Sequence, residues 1–324
     1  MRVAILGAGG WGKNHVRVFC ELLGVRNVIV CEPDVSRREA AREAHPDISL
    51  FEEPVFEGVD AVVIATPAVT HYALAREALC QGKHVLVEKP MALTSRQAEE
   101  LVVLAEETER ILMVDHLLEY HPAVQELKRL ITKGHFGKVL HLSSQRLNLG
   151  VIRTEENALW SLASHDVSIM LYLLDEEPEE VFAAGQAFLQ PGVEDVACLV
   201  LRFASGVLGH IHVSWLDPVK TRKLTVVGEG RMAVYDDMAE EKLVLFDHRV
   251  EHTKSGFHTA IGKSQSVTIG SVEPLRSMAE VFLQSVKTGA APPSDGRDGL
   301  RVVRVLEQAQ QSIEQGKGLT VEGT

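Results

Sequence analysis

The chain lacks the features that would assign it to a metal-rich, disulfide-stabilised or membrane-spanning class of protein. Its four cysteines are scattered along the sequence and form no CxxC pair, so neither a zinc site nor a disulfide framework is indicated. No stretch approaches 18 consecutive apolar residues, which is about the length that a transmembrane helix needs. We therefore expect no metal and no membrane partner.

Positive charge is also scarce. The formal net charge is −12, which argues against nucleic acid as a partner because a phosphate backbone requires a basic face. The opening stretch, MRVAILGAGG, reaches a glycine turn too early for the apolar segment of a signal peptide. A length of 324 residues favours two domains. We expect a cytoplasmic enzyme with domains at 1–118 and 119–324.

The first third of the chain alternates between two hydrophobic periods. Short apolar runs predict buried parallel strands, and the stretches between them have helical spacing: the runs are RVAIL, NVIVC, AVVIA, HVLVE and ILMV, and the helices span 11–23, 35–45, 69–81 and 94–108. Thr94 and Gln97 form a possible capping box. Such alternation predicts a doubly wound parallel sheet, in which ligands bind outside the carboxyl ends of the strands.

The first strand ends in GAGGWG, a glycine-rich turn that opens a helix. Gly7 permits the tight turn, Gly9 lets the backbone approach a pyrophosphate, and Gly12 allows close packing of helix on strand. Gly10 and Trp11 belong to the same loop, which we expect to contact a dinucleotide at the helix N-terminus. The alternative is a glycine turn in an α/β domain that binds no nucleotide.

An acidic residue ends the second predicted strand. Glu32 follows Gly12 by 20 residues, where a carboxylate accepts hydrogen bonds from the adenosine ribose. A carboxylate there repels a 2′-phosphate, so we expect NAD as the cofactor and NADP less readily. Arg37 and Arg38 could partly offset this repulsion, or they could be solvated helix residues.

Two later strand ends should face the nicotinamide half of the cofactor. One carries Thr66, Pro67 and His71, and the other carries Glu88, Lys89 and Pro90. Pro90 fixes its own φ and disfavours helical backbone at the preceding residue, so the lysine is aimed by rigid backbone. A cation fixed beside a nicotinamide can stabilise the alkoxide that develops as a secondary alcohol loses hydride.

Three segments, GAGGWGKNH, ATPAVTHYALAREALCQGKHVLVEKP and GLRVVRVLEQAQQS, resemble the glucose–fructose oxidoreductase/inositol dehydrogenase/MocA family. The resemblance extends over essentially the whole chain. It implies a Rossmann domain followed by a C-terminal α/β domain on a large, mostly antiparallel open sheet. It also implies NAD(P)-dependent chemistry at a sugar or cyclitol carbon, with Lys89 contacting both substrate and nicotinamide ribose.

The second half of the chain begins with an amphipathic helix, EYHPAVQELKRLITKG, followed by alternating strand-like runs and turn signals. We expect an antiparallel sheet there, a loop or arm at 252–271, and closing helices at 273–288 and 300–315. The helical stretch RTEENALWSLASHDVSIMLYLLD places His165 near a helix start.

On residue type alone, a histidine such as His165, at the start of a helix beside a core face, is more often a structural residue than a catalytic one. The family resemblance assigns it as the general base, because a neutral imidazole with an ordinary pKa near 6.5 can take the hydroxyl proton at physiological pH. One departure is Ser161, where the inositol dehydrogenase pattern has an aspartate. Either His165 works with Lys89 alone, or Asp166 or another group orients it.

The stretches NLGVIRTEEN and VSWLDPVKTRKLTVVG are similar to a narrower subset, the nucleotide-sugar 3-dehydrogenases. These oxidise C3 of UDP-N-acetylglucosamine or its uronic acid, in routes to the 3-amino sugars of surface glycans. A UDP diphosphate needs cations, and amides suit sugar groups. The candidate substrate-binding residues are Arg146, Asn148, Arg153, Asn157 and Tyr120, with His116 as a further possibility.

The two arginines and two asparagines among these substrate candidates each have a structural alternative as an edge-strand or capping residue. The leading hypothesis is an NAD-dependent sugar dehydrogenase in which Lys89 and His165 act on one carbon. The alternatives are a dehydrogenase or reductase of a free sugar or cyclitol, and a non-catalytic ligand sensor on the same fold. The resemblance further implies a homodimer or homotetramer joined through the open sheet face.

Overall fold

The computed structural model describes residues 1–316, which divide into two compact units. The first comprises Met1–Tyr120 and Val272–Val303, and the second comprises His121–Ser271 with the described residues from Arg304 onward. The expected contiguous domains, 1–118 and 119–324, differ from this division because a late segment of the chain clusters with the first unit.

The first unit is built on one parallel sheet in the order β3-β2-β1-β4-β5-β6. Its strands are β1 (Val3–Leu6), β2 (Val28–Cys31), β3 (Ser49–Phe51), β4 (Ala61–Ile64), β5 (His84–Val87) and β6 (Leu112–Val114). The connecting helices are α1 (Gly12–Leu23), α2 (Val35–Ala44), α3 (Ala68–Cys80) and α4 (Ser95–Glu107). Every residue of β1, β2 and β4 is buried, as expected for a sheet covered by helices on both faces. The predicted Rossmann sheet is confirmed.

The strand order reverses between β1 and β4. These two strands pair with each other in parallel, with Val3 opposite Ala61. Ligands of open α/β sheets bind at such a reversal, outside the carboxyl ends of the strands. The glycine-rich turn follows β1, and the lysine turn follows β5. The fold therefore brings both sequence motifs to one edge of this sheet.

Local capping explains where α4 begins. The Thr94 hydroxyl accepts a hydrogen bond from the Gln97 N–H at 3.2 Å, and the helix starts at Ser95. This confirms the predicted N-cap.

The second unit is built on one large sheet in the order β16-β13-β12-β11-β7-β10-β9-β8. Its elements are α5 (Pro122–Thr132), β7 (Val139–Leu149), a π-helical turn (Leu159–Ala163), α6 (Ser164–Leu174), β8 (Pro178–Gln186), β9 (Val196–Phe203), β10 (Leu208–Ser214), β11 (Leu216–Gly228), β12 (Met232–Asp236), β13 (Leu243–Phe246), β14 (Arg249–Thr253), β15 (Gly256–Ala260) and β16 (Ser264–Ser266). The pairs are antiparallel except for β10 with β7. The predicted mostly antiparallel sheet is confirmed.

The expectation of a loop or arm at 252–271 was wrong. The chain there completes the hairpin of β14 and β15 and adds β16 to the edge of the large sheet. All five residues of β14 are exposed, so no buried alternation marks the strand in the sequence. Stacking of His252 on Phe257, with ring centroids 4.7 Å apart, supports the hairpin instead.

Two helices close the described chain, α7 (Pro274–Thr288) and α8 (Gly296–Gln315). α7 belongs to the core of the first unit, where Phe282 meets Phe19 edge-on at 6.4 Å between ring centroids. α8 starts four residues before the predicted position, and the Asp295 carboxylate caps it by accepting from the Asp298 N–H. Within residues 1–316, every helix is too short or too polar to cross a bilayer.

Candidate active site

The glycine-rich turn packs as tightly as the motif requires. A Cβ on Gly12 would lie 2.1 Å from the Gly7 carbonyl oxygen, and one on Gly7 would lie 2.7 Å from the Ala65 carbonyl oxygen. Gly7 also has a φ of 90°, which side chains rarely adopt. These two glycines therefore let α1 approach β1 and β4 closely.

The other side of this turn is open. A Cβ on Gly10 would meet no atom within 4 Å, and one on Gly9 would meet only the Arg37 guanidinium, at 3.5 Å. Trp11 occupies the N-cap position of α1, where the first N–H groups of a helix have no intrahelical acceptor. Backbone donors with free space beside them suit a pyrophosphate, so the turn fits the dinucleotide that the sequence predicted.

Glu32 is nearly fully buried and fixes this turn. Its Oε2 accepts from the Ala8 N–H at 2.7 Å, and its Oε1 accepts from the Asp34 N–H at 3.0 Å. Each carboxylate oxygen can accept a further hydrogen bond, so these contacts leave capacity for ribose hydroxyls. The role of Glu32 as a ribose acceptor stays a prediction.

The two arginines that follow Glu32 have different surroundings. Arg38 donates to the carbonyl oxygens of Glu32 and Pro33, so it anchors backbone and is not a solvated helix residue. Arg37 is more than half exposed, with its Nη1 3.8 Å from Glu32 Oε1. Of the two, Arg37 is the cation that stands closest to the open side of the glycine turn.

His71 links the two strand ends that should face the nicotinamide. It is buried, with Nδ1 2.8 Å from the Pro90 carbonyl oxygen and Nε2 2.9 Å from the Thr66 carbonyl oxygen. The Thr66 hydroxyl also contacts the Thr70 hydroxyl at 2.6 Å, and Pro67 is the residue before α3. His71 therefore holds backbone in place, and any effect it has on the cofactor acts through these two loops.

The lysine turn starts directly after β5. The Glu88 N–H donates to the Ile64 carbonyl oxygen at 2.9 Å, which extends the pairing with β4, and the Lys89–Pro90 peptide bond is cis. Lys89 is partly buried. The lysine thus sits on backbone held by the sheet, as the sequence indicated.

A buried cluster that was not predicted lies beside this turn. His15 Nε2 in α1 lies 3.1 Å from Glu88 Oε1 and 3.2 Å from Asp115 Oδ2, just after β6. Burial by itself lowers the pKa of His15, but hydrogen bonding and attraction from Asp115 and Glu88 outweigh it and raise the pKa to about 9. Burial, followed by repulsion from Asp115, raises the pKa of Glu88. The only sequence signal was a histidine three residues after Gly12.

A second buried cluster follows in the chain. His116 Nδ1 lies 2.6 Å from Asp298 Oδ2 and 3.4 Å from Glu119 Oε1. Burial opposes the charge on His116, but the hydrogen bond to Asp298 and the nearby Glu119 carboxylate raise its pKa to about 10. Burial raises the pKa of Glu119 to about 8. Both clusters have the residue types that bind metal ions, and their close N···O contacts equally suit shared protons.

Tyr120 requires a correction. It was a candidate for substrate binding, but it is 2% exposed in the core of the first unit, with its hydroxyl 2.9 Å from the Ser294 hydroxyl. His116 is also buried and bonded to Asp298. Both residues stabilise the first unit, and the sequence signal that suggested them was only their proximity to the expected domain junction.

In the second unit, His165 lies in the first turn of α6, as predicted, and is partly buried. It directly follows the π-helical turn that contains Ser161. The Ser161 N–H donates to the Asn157 carbonyl oxygen at 3.0 Å, so this serine is part of the helix start. The family aspartate has no counterpart at this position.

The Asp166 side chain is hydrogen-bonded to residues of the large sheet. Its carboxylate accepts from the Ser144 hydroxyl at 2.6 Å and from Arg146 Nε at 2.8 Å. Burial by itself lowers the pKa of Arg146, but attraction to Asp166 outweighs it and raises the pKa. Arg146 was a candidate for binding diphosphate, and the structure instead supports its structural alternative, a buried ion pair between β7 and α6.

The remaining substrate-binding candidates are either structural residues or accessible ones. Asn157 is buried and caps the following turn, since its Oδ1 accepts from the Trp160 N–H at 3.1 Å while its Nδ2 donates to Gln310. Arg153 is about half exposed and pairs with Glu156 at 2.6 Å. Asn148 lies near the end of β7 and is partly buried. Asn157 is therefore structural, whereas Arg153 and Asn148 remain accessible.

Comparisons with known proteins agree with this geometry. The model of an oxidoreductase family with an NAD-binding Rossmann fold matches residues 1–116, and the model of a GFO/IDH/MocA C-terminal domain matches residues 124–234. An oxidoreductase of known structure from Magnetospirillum magnetotacticum is 32% identical, covers 95% of this chain and 99% of its own, and gives a TM-score of 0.82.

Two curated relatives are similar over nearly their whole length. The UDP-N-acetylglucosamine 3-dehydrogenase of Acidithiobacillus ferrooxidans is 26% identical across 97% of both chains, and its solved structure gives a TM-score of 0.83. The myo-inositol 2-dehydrogenase of Thermotoga maritima is 25% identical across 99% of both.

A dinucleotide turn, a strand-end lysine and a second unit on an antiparallel sheet define the class as nicotinamide-dependent oxidoreductases. The chain belongs to the glucose–fructose oxidoreductase/inositol dehydrogenase/MocA family. It is an enzyme, an oxidoreductase with NAD as its cofactor.

Proposed function

We propose that the protein oxidises the C3 hydroxyl of a UDP-N-acetylhexosamine, or of its uronic acid, in the biosynthesis of 3-amino sugars for surface glycans. The observation that carries this proposal is the 26% identity to a UDP-N-acetylglucosamine 3-dehydrogenase, which extends across 97% of both chains. The positions of the two proposed catalytic residues also support it. Lys89 follows β5, and His165 lies in the first turn of α6.

The chain's own residues have separate roles in this reaction. The glycine turn and Glu32 hold the dinucleotide, and NAD, when bound, supplies the hydride acceptor. His165 takes the proton from the C3 hydroxyl, which a neutral imidazole can do near physiological pH. Lys89 stabilises the negative charge that develops on that oxygen as hydride leaves.

Arg153 and Asn148 are the residues that we assign to substrate binding. Arg153 pairs with Glu156 at the surface, and surface ion pairs contribute only about 0–1 kcal/mol. A diphosphate oxygen can therefore replace Glu156 as its partner at little cost. The Asn148 amide can both donate and accept hydrogen bonds with sugar groups.

A turnover assay with matched variants tests the proposal. The wild-type protein is incubated with NAD and UDP-N-acetylglucosamine or its uronic acid, and NADH formation is followed by absorbance. We expect Lys89→Met and His165→Asn each to lower kcat by about 100-fold or more. Lys133→Met and His135→Gln, which change exposed residues, serve as controls and should keep wild-type turnover. Unchanged kcat in both active-site variants would contradict the assigned roles.

A free cyclitol or sugar is the second candidate substrate. The 25% identity to a myo-inositol 2-dehydrogenase across 99% of both chains favours it. Parallel assays with myo-inositol, UDP-N-acetylglucosamine and free N-acetylglucosamine separate the two candidates. Turnover of the cyclitol or of the free sugar, with none of the UDP-sugar, would establish this second function.

The proposed setting is a cytoplasmic homodimer or homotetramer. The four cysteines are free, as is usual in a reducing compartment. Phe182 of β8 and Leu208 of β10 are 51% and 40% exposed on the outer face of the large sheet, where Phe182 pairs with Val200. Light scattering on Phe182→Glu tests this surface, because a charge in an apolar interface should shift the protein toward monomer.

A further inference from the structure

His15 is a buried ionisable residue to which the proposed reaction gives no role. It lies in the first turn of α1 and is 1% exposed. Its Nε2 faces two carboxylates, Glu88 at 3.1 Å and Asp115 at 3.2 Å. Glu88 directly precedes Lys89, so this histidine connects the dinucleotide-binding helix to the lysine turn.

The lysine turn is held at both ends by histidines from different helices. At its start, the Glu88 side chain contacts His15 of α1. At its end, the Pro90 carbonyl oxygen contacts His71 of α3. Between these two anchors, the position of Lys89 is set by backbone that has little freedom to move.

The charge balance of the cluster favours a positive charge on His15. Two carboxylates buried side by side repel each other, and an unpaired buried charge is strongly destabilising. The ring contacts both carboxylates through Nε2, so one N–H serves both oxygens. The two carboxylates together overcome burial and raise the pKa of His15 to about 9.

We propose that His15 is a positioning residue which, as an imidazolium, holds the Glu88 side chain and thereby fixes Lys89 for the reaction. This inference rests on the proposed role of Lys89. Without the cation, Glu88 and Asp115 repel each other, so Glu88 takes up a proton or turns away. In either case the lysine turn loses the contact that ties it to α1.

The test is a set of variants that remove first the positive charge of the cluster and then one of its negative charges. In His15→Gln the amide keeps a donor but removes the positive charge, and we expect kcat with NAD and UDP-N-acetylglucosamine to fall by about 10- to 100-fold. The dissociation constant for NADH should stay within about threefold, because the glycine turn is intact. The double variant H15Q/D115N removes one negative charge as well, and we expect it to recover kcat to within about fivefold of wild type.

The control is His84→Gln. His84 is at the amino end of β5, where its Nδ1 accepts from the Ile111 N–H, and we expect this variant to keep wild-type kcat. Wild-type kcat in His15→Gln, or a double variant no better than the single one, would overturn the inference. If His15→Gln keeps wild-type kcat while Lys89→Met abolishes turnover in the same assay, this inference fails and the proposed function stands.

A substrate-independent measurement keeps the inference testable if the variants do not fold or the substrate differs. The His15 ring can be identified in NMR spectra of wild-type protein labelled with 13C-histidine by its contact with the Phe19 ring. We expect this ring to be an imidazolium, protonated on both nitrogens, from pH 6 to pH 8. A His15 ring that becomes neutral at or below pH 8 would overturn the inference, whatever the substrate is.

Discussion

At the scale of single residues, Glu32 serves both the fold and the proposed cofactor site. Its carboxylate accepts hydrogen bonds from the backbone N–H groups of Ala8 and Asp34, and so fixes the glycine turn before any ligand binds. A charged acceptor makes stronger hydrogen bonds than a neutral one. The same negative charge disfavours a 2′-phosphate, which agrees with NAD as the cofactor.

Replacing Glu32 by glutamine should weaken cofactor binding. The amide can accept through one atom only, so its NH2 group faces a backbone donor in place of an acceptor. We expect the dissociation constant for NADH, from fluorescence titration, to rise by about 10-fold or more. Glu53→Gln, an exposed change just after β3, is the control. An NADH affinity equal to wild type in the Glu32 variant would contradict this role.

At the scale of elements, the close approach of α1 to β1 is the contact on which the cofactor site depends. The approach leaves no room for a side chain at Gly12, where a Cβ would overlap the Gly7 carbonyl oxygen. Backbone cannot move aside as a flexible side chain can. The helix must therefore shift if the glycine is replaced.

Gly12→Ala should destabilise the protein and abolish NADH binding together. We expect a loss of at least about 3 kcal/mol in the free energy of unfolding, at the upper end of overpacking costs, measured by urea denaturation. Gly270→Ala is the control, since a Cβ there meets no atom within 4 Å. Equal stability of both variants would show that the helix can shift at little cost.

Sequence patterns predicted the elements whose periodicity was strong. The five predicted strands of the parallel sheet, its helices and the N-cap at Thr94 were confirmed, because buried strands and capping residues follow local rules. β3, β14, β15 and β16 were missed because they are short and contain no buried residue, so no buried alternation marks them. The start of α8 was predicted four residues too late. The additional residues include Gly296 and Gly299, which have low helix propensity but let the helix pack closely on Leu112 and Val114.

The candidate site was predictable to the extent that its residues belong to motifs. Lys89 and the glycine turn were found from the strand ends, and His165 was found from the family resemblance. His15 and Asp115 were missed because their relation depends on contacts between α1, β5 and β6, which are distant in sequence. Arg146 and Tyr120 were assigned to substrate because burial and their partners Asp166 and Ser294 are not visible in the sequence.

At the scale of the whole molecule, two buried histidines link stability to pH. Both have raised pKa values, about 9 for His15 and about 10 for His116, above the ordinary value near 6.5. The folded protein therefore binds more protons than the unfolded chain between pH 6.5 and pH 10. Their stabilising contribution is fully present below pH 6.5 and is lost as pH rises through the folded values.

The melting temperature should therefore fall as pH rises from 6.5 to 10, measured by differential scanning calorimetry. The raised pKa of Glu119, about 8, favours its protonated form in the folded protein. Glu119 therefore also lowers the stability of the folded state as pH rises from 4.5 to 8. His116→Gln should reduce this pH dependence, and the exposed control His135→Gln should not. A melting temperature that is flat or rises across this range would contradict the assigned protonation states.

We propose that the enzyme transfers hydride from C3 of a UDP-N-acetylhexosamine. The most direct measurement uses UDP-N-acetylglucosamine, or its uronic acid, deuterated at C3 and separately at C4, with NAD and the wild-type protein. NMR of the resulting NADH should show deuterium from the C3-labelled sugar and none from the C4-labelled sugar. Deuterium from C4, or no transfer from either labelled sugar while a cyclitol is oxidised, would contradict the claim.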